Sequence, residues 1–246
     1  MLPNLDRTSR HALFLDLDGT VAEIAPTPQS VVVDEKTRGL LQRLRRRFDG
    51  AVAIISGRDL DGVDALLSPV AMPGSGAHGA MRRDAAGTLH MTNDHDFTSL
   101  QAALHARFGN ESGVIVESKR TGVALHYRLR PELRDACREA AAHVAGGDPR
   151  LRLIDGKMVV EIGAAGVDKG AAIEAFLREP PFTGRTPIFA GDDETDEAGF
   201  FAVNARNGVS IKVGAGRTVA RFRTESVESL RAWLDRVARD TEESAA

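Results

Sequence analysis

The 246 residues carry 32 Lys and Arg against 35 Asp and Glu, a formal net charge of −3. That slight acidity, with both signs interspersed, offers no basic face for nucleic acid, and no stretch is long and apolar enough to span a bilayer. The single cysteine, Cys137, excludes an intrachain disulfide, and the first residues have no leader-like pattern, so a cytoplasmic setting is expected.

The first apolar run, residues 12–15, reads as a buried strand. It ends in Asp16-Leu17-Asp18-Gly19-Thr20, which sets two carboxylates at a strand's C-terminal edge, where open α/β sheets place their chemistry. A cation would offset that charge, and carboxylate and carbonyl oxygens suit Mg²⁺. An Asp-Gly turn is the plain alternative. Leu40, Leu41, Leu44 and Phe48 then form a helical stripe, and the run from Arg43 to Arg47 falls mostly on its solvated face. A second apolar strand, residues 52–55, ends in Ser56-Gly57-Arg58, where a hydroxyl beside free backbone N–H groups can hold a phosphate oxygen. A Ser-Gly loop is the alternative here.

Strands and helices alternate over residues 12–67 and again over 166–237, which predicts a parallel sheet covered by helices. The middle reads differently. Strands are expected at 114–117, 123–127 and 158–162, the first two forming a hairpin, with helices near 99–108 and 131–144. Cys137 is expected buried in the second of these helices. A smaller α/β unit inserted over residues 89–165 follows, with the core formed by 1–88 and 166–246. Residues 84–87 and 163–166 are small and are expected to act as hinges. Asp168-Lys169-Gly170 opens a helix over 171–177, and Lys169 could serve a phosphoryl group or a charged nucleophile, with a solvated surface lysine as the alternative. A strand over 187–190 ends in Gly191-Asp192-Asp193-Glu194-Thr195-Asp196-Glu197, which reads as a second acidic wall or an exposed acidic loop. Another strand is expected at 209–213, then a helix capped by Ser226 with Val227, Leu230, Leu234 and Val237 in its stripe. The tail, 241–246, is expected to fray.

The order strand–DxD, strand–Ser, Lys at a helix start, strand–GDD resembles the haloacid dehalogenase superfamily of aspartate-nucleophile phosphatases. Four further segments carry a narrower resemblance, to trehalose-6-phosphate phosphatases. They are Gly76-Ala77-His78-Gly79-Ala80, Glu117-Ser118-Lys119, the run from Val123 to Arg128, and the run from Gly156 to Ile162. The resemblance spans residues 13–234. Met81 stands where that family often has Glu, and Gly163-Ala164 where it has a basic residue and Pro.

The resemblance implies a doubly wound, Rossmann-like core with an inserted C2-type α/β cap that recognises sugar. It implies Asp16 as nucleophile and Asp18 as general acid and then base, with an aspartyl-phosphate intermediate. Mg²⁺ would be held by Asp16, Asp192 and the backbone carbonyl of Asp18, with Asp193 and Asp196 supporting the loop or the ion's waters. Ser56, Gly57, Thr20 and Lys169 would contact or orient the phosphoryl group. Arg58 would make a structural or phosphate-side contact. On the cap, Glu117, Lys119, Arg128 and Glu161 would contact the sugar, joined by His78 as a substrate-binding residue near the hinge or pocket, for which a hydrogen-bonded structural histidine is the alternative. Glu117 and Lys119 are two apart on a strand and so share a face, as one ligand would require. The alternative is a cross-strand ion-pair set on an exposed face. The expected activity is hydrolysis of trehalose 6-phosphate by a monomer. Sucrose 6-phosphate and mannosyl-3-phosphoglycerate are alternative substrates, and a catalytically dead sugar-phosphate sensor is the non-enzyme alternative. No nucleic-acid or membrane partner is expected.

Overall fold

The computed structural model describes residues 2–5, 10–91, 96–119, 121–156 and 158–239; the expected fraying tail, and Lys157 of the last family-like segment, lie outside them. The chain separates into two compact units: Met1–His90 with Asp168–Ala246, and Met91–Val167.

The first unit is built on β1 (His11–Leu15), α1 (Glu35–Arg47), β2 (Val52–Ile55), α2 (Leu60–Leu67), β3 (Gly74–Gly76), β4 (Met81–Arg83) and β5 (Leu89–Met91). In the second unit follow α3 (Thr98–Phe108), β6 (Ile115–Lys119), β7 (Gly122–His126), α4 (Arg134–Ala145), β8 (Leu151–Gly156) and β9 (Val159–Ala164). The chain returns to the first unit with α5 (Lys169–Phe176), β10 (Thr186–Gly191), α6 (Glu197–Ala205), β11 (Val209–Val213), β12 (Phe222–Thr224) and α7 (Val227–Arg239).

The larger sheet has the order β12-β11-β10-β1-β2-β3-β4-β5. Its strands run parallel from β12 to β3, and β4 turns antiparallel. Side chains alternate along each strand. Leu13, Leu15, Ile54 and Ile188 pack with Leu41, Leu44 and Trp233 of α1 and α7. Phe14, Ile55 and Phe189 pack with Phe176 and Phe200 of α5 and α6. Helices thus cover both faces, the doubly wound arrangement. Burial of such side chains contributes ~1.5–3 kcal/mol each. Because β1 lies between β2 and β10, the strand order reverses there, and the carboxyl ends of β1 and β10 form a topological switch point.

Several strands escape the apolar-run pattern, β3, β4, β5, β8 and β12 among them. β3 is Gly-Ser-Gly, extended because its neighbours leave no room for more: a Cβ at Gly76 would lie 2.8 Å from the Arg58 carbonyl oxygen. β4 and β5 are three residues each and half-buried or exposed. The arginine-rich face of α1 is exposed at Arg45 and Arg46, as expected, and Arg43, half-buried, pairs with Asp235 of α7 at 2.6 Å.

The second unit is a four-stranded antiparallel sheet, β6-β7-β9-β8, backed by α3 and α4. Cys137 is fully buried between them. The expected hinge at 163–166 is corrected in part: Gly163 and Ala164 are ladder residues of β9, opposite Arg152 and Leu151 of β8, so backbone pairing holds them.

Candidate active site

The two acidic loops meet because their strands are neighbours. β1 and β10 pair with Leu15 opposite Ala190, and the N–H of Asp16 donates to the Ala190 carbonyl at 2.9 Å. The loops are packed closely enough to need glycine. Gly19 has φ +80°, and a Cβ there would lie 2.1 Å from Asp192 Oδ2. A Cβ on Gly191 would lie 2.3 Å from Asp196 Cγ.

Around this junction the charged groups are buried and mutually bonded. Asp168 caps α5 through its carboxylate, which accepts the Ala171 N–H at 2.7 Å, and so places Lys169 at the first helical position. Lys169 is 3% exposed; its ammonium donates to Asp16 Oδ1 and Asp196 Oδ1, both at 2.7 Å. The Thr20 hydroxyl donates to Asp16 Oδ2 at 3.3 Å. Asp196 Oδ2 accepts the N–H groups of Asp192 and Asp193 at 2.9 Å each, so this one carboxylate ties the Gly191–Asp193 turn to Lys169.

Burial pushes the Asp16 carboxyl well up; the Lys169 ammonium opposes this, while Asp196 and Asp192 add to it. Burial works against charge on Lys169, but Asp16 and Asp196 outweigh it and hold the ammonium charged. Asp192 is pushed up to about 6, first by burial and then by Asp196 and Asp193, against Lys169 and Lys212. Acids held this way are short of positive charge. Asp16, Asp192 and Asp196 offer oxygens within 4.8 Å of one another, a hard all-oxygen donor set that fits a divalent cation such as Mg²⁺. A second group, Asp84, His90 and Glu179, has similar spacing, but its acids are already engaged by His90, the Ala86 and Thr88 N–H groups, and Arg82.

Asp18 differs from its neighbour. Its carboxylate turns to Arg58, which grips it at 2.6 and 2.7 Å. The three carboxylates that converge are therefore Asp16, Asp192 and Asp196, with the Asp18 side chain outside them. Ser56, 1% exposed, ends β2. Its N–H donates to the Ser75 carbonyl, and its Oγ accepts the Arg58 N–H at 3.1 Å, so two of the amides expected to be free there are engaged. His78 sits in the first unit against this loop. Its ring fills the space over Gly57, where a Cβ would lie 2.5 Å from His78 Cε1, and its N–H donates to the Ser56 carbonyl. Gly79, one residue on, abuts Asp168: a Cβ would lie 2.5 Å from the Asp168 carbonyl oxygen. The segment around His78 thus braces both the Ser56 loop and the start of α5.

In the second unit the ladder puts Glu117 opposite Ala124 and Ala124 opposite Glu161, with Lys119 opposite Gly122 on the same face. Lys119 donates to Glu161 at 2.5 Å, and Glu117 pairs with His126 at 2.7 Å. The residues among them, Gly122, Ala124 and Gly163, are small and buried, and the Ile154 side chain packs against Gly163 on this face. The other face carries Val123, Leu125, Val160 and Ile162 into the core. Arg128 is exposed in the turn after β7.

A family model for trehalose-phosphatase matches residues 14–229. The chain belongs to the trehalose-phosphatase family. A trehalose-6-phosphate phosphatase of Escherichia coli K12 is 43% identical over 232 residues, covering 94% of this chain and 87% of that protein. A solved trehalose-6-phosphate phosphatase related protein, 28% identical, superposes with a TM-score of 0.77 over 95% of this chain and 99% of its own. A haloacid dehalogenase-like hydrolase from B. subtilis, 14% identical, shares the fold with a TM-score of 0.66, over 90% and 98% of the two chains. No described helix is long and apolar enough to cross a membrane.

Three residues of interest in this family member carried no clear local signal. Arg58 emerged as the partner of Asp18 only when β1 and β2 were brought side by side. His126 lies within a family-like segment, but its pairing with Glu117 depends on strand register. Lys212, 4% exposed in β11, donates to the Asp192 carbonyl. A lysine between Ile211 and Val213 in a buried strand was its only sequence clue.

Proposed function

We propose that this chain hydrolyses trehalose 6-phosphate to trehalose and inorganic phosphate, with Mg²⁺ as its resident cation and Asp16 as nucleophile. The observation that carries this reading is the convergence of Asp16, Lys169, Asp192 and Asp196 at the switch point of the sheet. The 43% identity to the Escherichia coli phosphatase supports the substrate.

Asp16, Asp192 and the Asp18 carbonyl would hold the ion, with Asp193 and Asp196 supporting the loop. When bound, Mg²⁺ would lower the repulsion between carboxylate and phosphate and offset charge on the phosphoryl oxygens. The protein's own groups do the rest. Lys169 and Thr20 hold the Asp16 carboxylate, and Lys169 adds positive charge where the phosphoryl oxygens gather. Ser56 and Gly57 contact that group from β2. An Asp16 oxygen bonds to phosphorus as the phosphorus–sugar oxygen bond breaks, and the departing oxygen takes a proton from Asp18. Water then attacks the phosphorus, gives a proton to the ionised Asp18, and the Asp16–phosphorus bond breaks to release phosphate. The Arg58 pair suits the second half, in which Asp18 is the base. The first half needs a protonated Asp18, so the pair opens as the sugar enters.

Sugar recognition is assigned to residues 89–165, through Glu117, Lys119, Arg128 and Glu161. The Lys119–Glu161 and His126–Glu117 pairs on one face of that sheet support this, because a sugar needs charged and polar partners for its hydroxyls. His78 is assigned to bracing the Ser56 loop. The direct test is phosphate release from a panel of sugar phosphates that includes trehalose 6-phosphate, sucrose 6-phosphate and mannosyl-3-phosphoglycerate, with Mg²⁺ and with chelator. Strong preference for another sugar, or full activity in chelator, would overturn the assignment.

A further inference from the structure

Lys212 belongs to no motif, yet it is 4% exposed and lies beside the acidic loops. Gly191 and Lys212 are opposite each other in the β10–β11 ladder, so the lysine stands level with the start of the Asp192 turn. Its ammonium donates to the Asp192 backbone carbonyl. No carboxylate of a described residue lies within ion-pairing distance of it, whereas Lys169 has two. A buried ammonium bonded to a neutral carbonyl is costly to keep. It is tolerated where a larger negative charge stands close by. Here, among the described residues, Asp16, Asp192, Asp193 and Asp196 gather with Lys169 and Lys212 as the lysines bonded among them. That leaves a double negative charge, the amount one divalent cation neutralises.

We infer that Lys212 is a charge-balancing and positioning residue for the metal loop: it stands in part for the cation, holds the Asp192 turn in shape while the site is metal-free, and weakens the site's grip on the ion so that it stays exchangeable. This rests on the reading of Asp16 and Asp192 as metal ligands. The lysine charge and the ion repel each other, so removing the first should strengthen binding of the second.

The test is Mg²⁺ titration of the purified protein by calorimetry, with thermal unfolding measured with and without Mg²⁺. Lys212→Gln keeps a donor and loses the charge; Lys212→Arg keeps the charge. Lys212→Gln is expected to melt lower than wild type without metal and to bind Mg²⁺ at least about tenfold more tightly, the lower bound set by the Coulomb interaction of a unit with a double charge a few ångströms apart at the dielectric of bulk water. It should therefore gain more in melting temperature from saturating Mg²⁺ than wild type does. Lys212→Arg should match wild type in both. A Gln variant that folds only with Mg²⁺ would support the inference; one that fails to fold even with it would overturn it, as would unchanged or weaker Mg²⁺ binding. If wild type itself shows no Mg²⁺ response, the metal reading fails and the role of Lys212 fails with it. A wild-type response matched by the Gln variant removes only the role of Lys212.

Discussion

Replacing Lys119 with Ala should affect stability and specificity together, and the structure gives the size of each effect. Lys119 donates to Glu161 at 2.5 Å, with side chains 21% and 6% exposed. Removing one partner of a fully buried pair costs ~3–5 kcal/mol, and exposed pairs are worth ~0.2–1 kcal/mol. With one end partly open to water, about 2 kcal/mol is expected for Lys119→Ala. For a protein of this size that lowers the melting temperature by roughly 4–8 °C. If Lys119 also binds a sugar hydroxyl, the lost charge-assisted bond costs a further ~1.5–3 kcal/mol of binding, or about ten- to a hundredfold in kcat/KM. The assay is steady-state phosphate release from trehalose 6-phosphate and from a small aryl phosphate, well below the variant's melting temperature. Only the sugar phosphate should lose. The double variant Lys119→Met, Glu161→Leu should recover most of the stability and none of the specificity, because the buried carboxylate is gone as well. Equal losses on both substrates would refute the recognition role and leave Lys119 a purely structural partner of Glu161.

Three further outcomes follow from the core. Asp16→Asn, nearly isosteric, should abolish turnover by at least ~10⁴-fold with the circular dichroism spectrum unchanged, since it removes the nucleophile while keeping the volume; residual normal turnover would reassign that role. Gly19→Ala forces a left-handed alanine, at about 1–2 kcal/mol, and pushes its methyl into the Asp192 carboxylate; the Mg²⁺ concentration for half-maximal activity should rise at least about tenfold, and an unchanged value would detach Asp192 from the metal. Asp192 is held up to about 6, so the folded protein binds more protons there than the unfolded chain. Metal-free stability should therefore fall as pH rises from about 4 to about 6, and Mg²⁺ binding near pH 6 should release protons. Calorimetry in buffers of different ionisation enthalpy reads that release, and its absence would mean that Asp192 does not meet the ion.

Much of this was legible before the fold was known. Apolar runs that stop abruptly at acids marked β1 and β10, because a buried strand cannot continue into charge. Ser226 announced a helix start through its capping chemistry and accepts the Ser229 N–H, while Asp168, placed only at a helix start by the sequence, caps α5 by accepting the Ala171 N–H. What stayed hidden depends on tertiary contact. β3 is three small residues held extended by pairing with β2 and β4, and Ile54, Arg58 and Leu60 crowd its two glycines so that no side chain fits there. β8 is an edge strand with every residue half-buried, too weakly patterned to stand out. The Arg58–Asp18 and Lys119–Glu161 pairs join residues far apart in the chain, and only sheet order brings them within reach, the first after the neighbouring strands β2 and β1, the second across β7 between β6 and β9.

The central claim is a covalent bond between phosphorus and Asp16. Protein mixed with phosphate-labelled trehalose 6-phosphate and Mg²⁺, quenched in acid within milliseconds and digested, should yield one labelled peptide, spanning Asp16, and none in the Asp16→Asn variant. Rapid turnover with no label on that peptide, or with label on Asp18 or Asp192, would contradict the account.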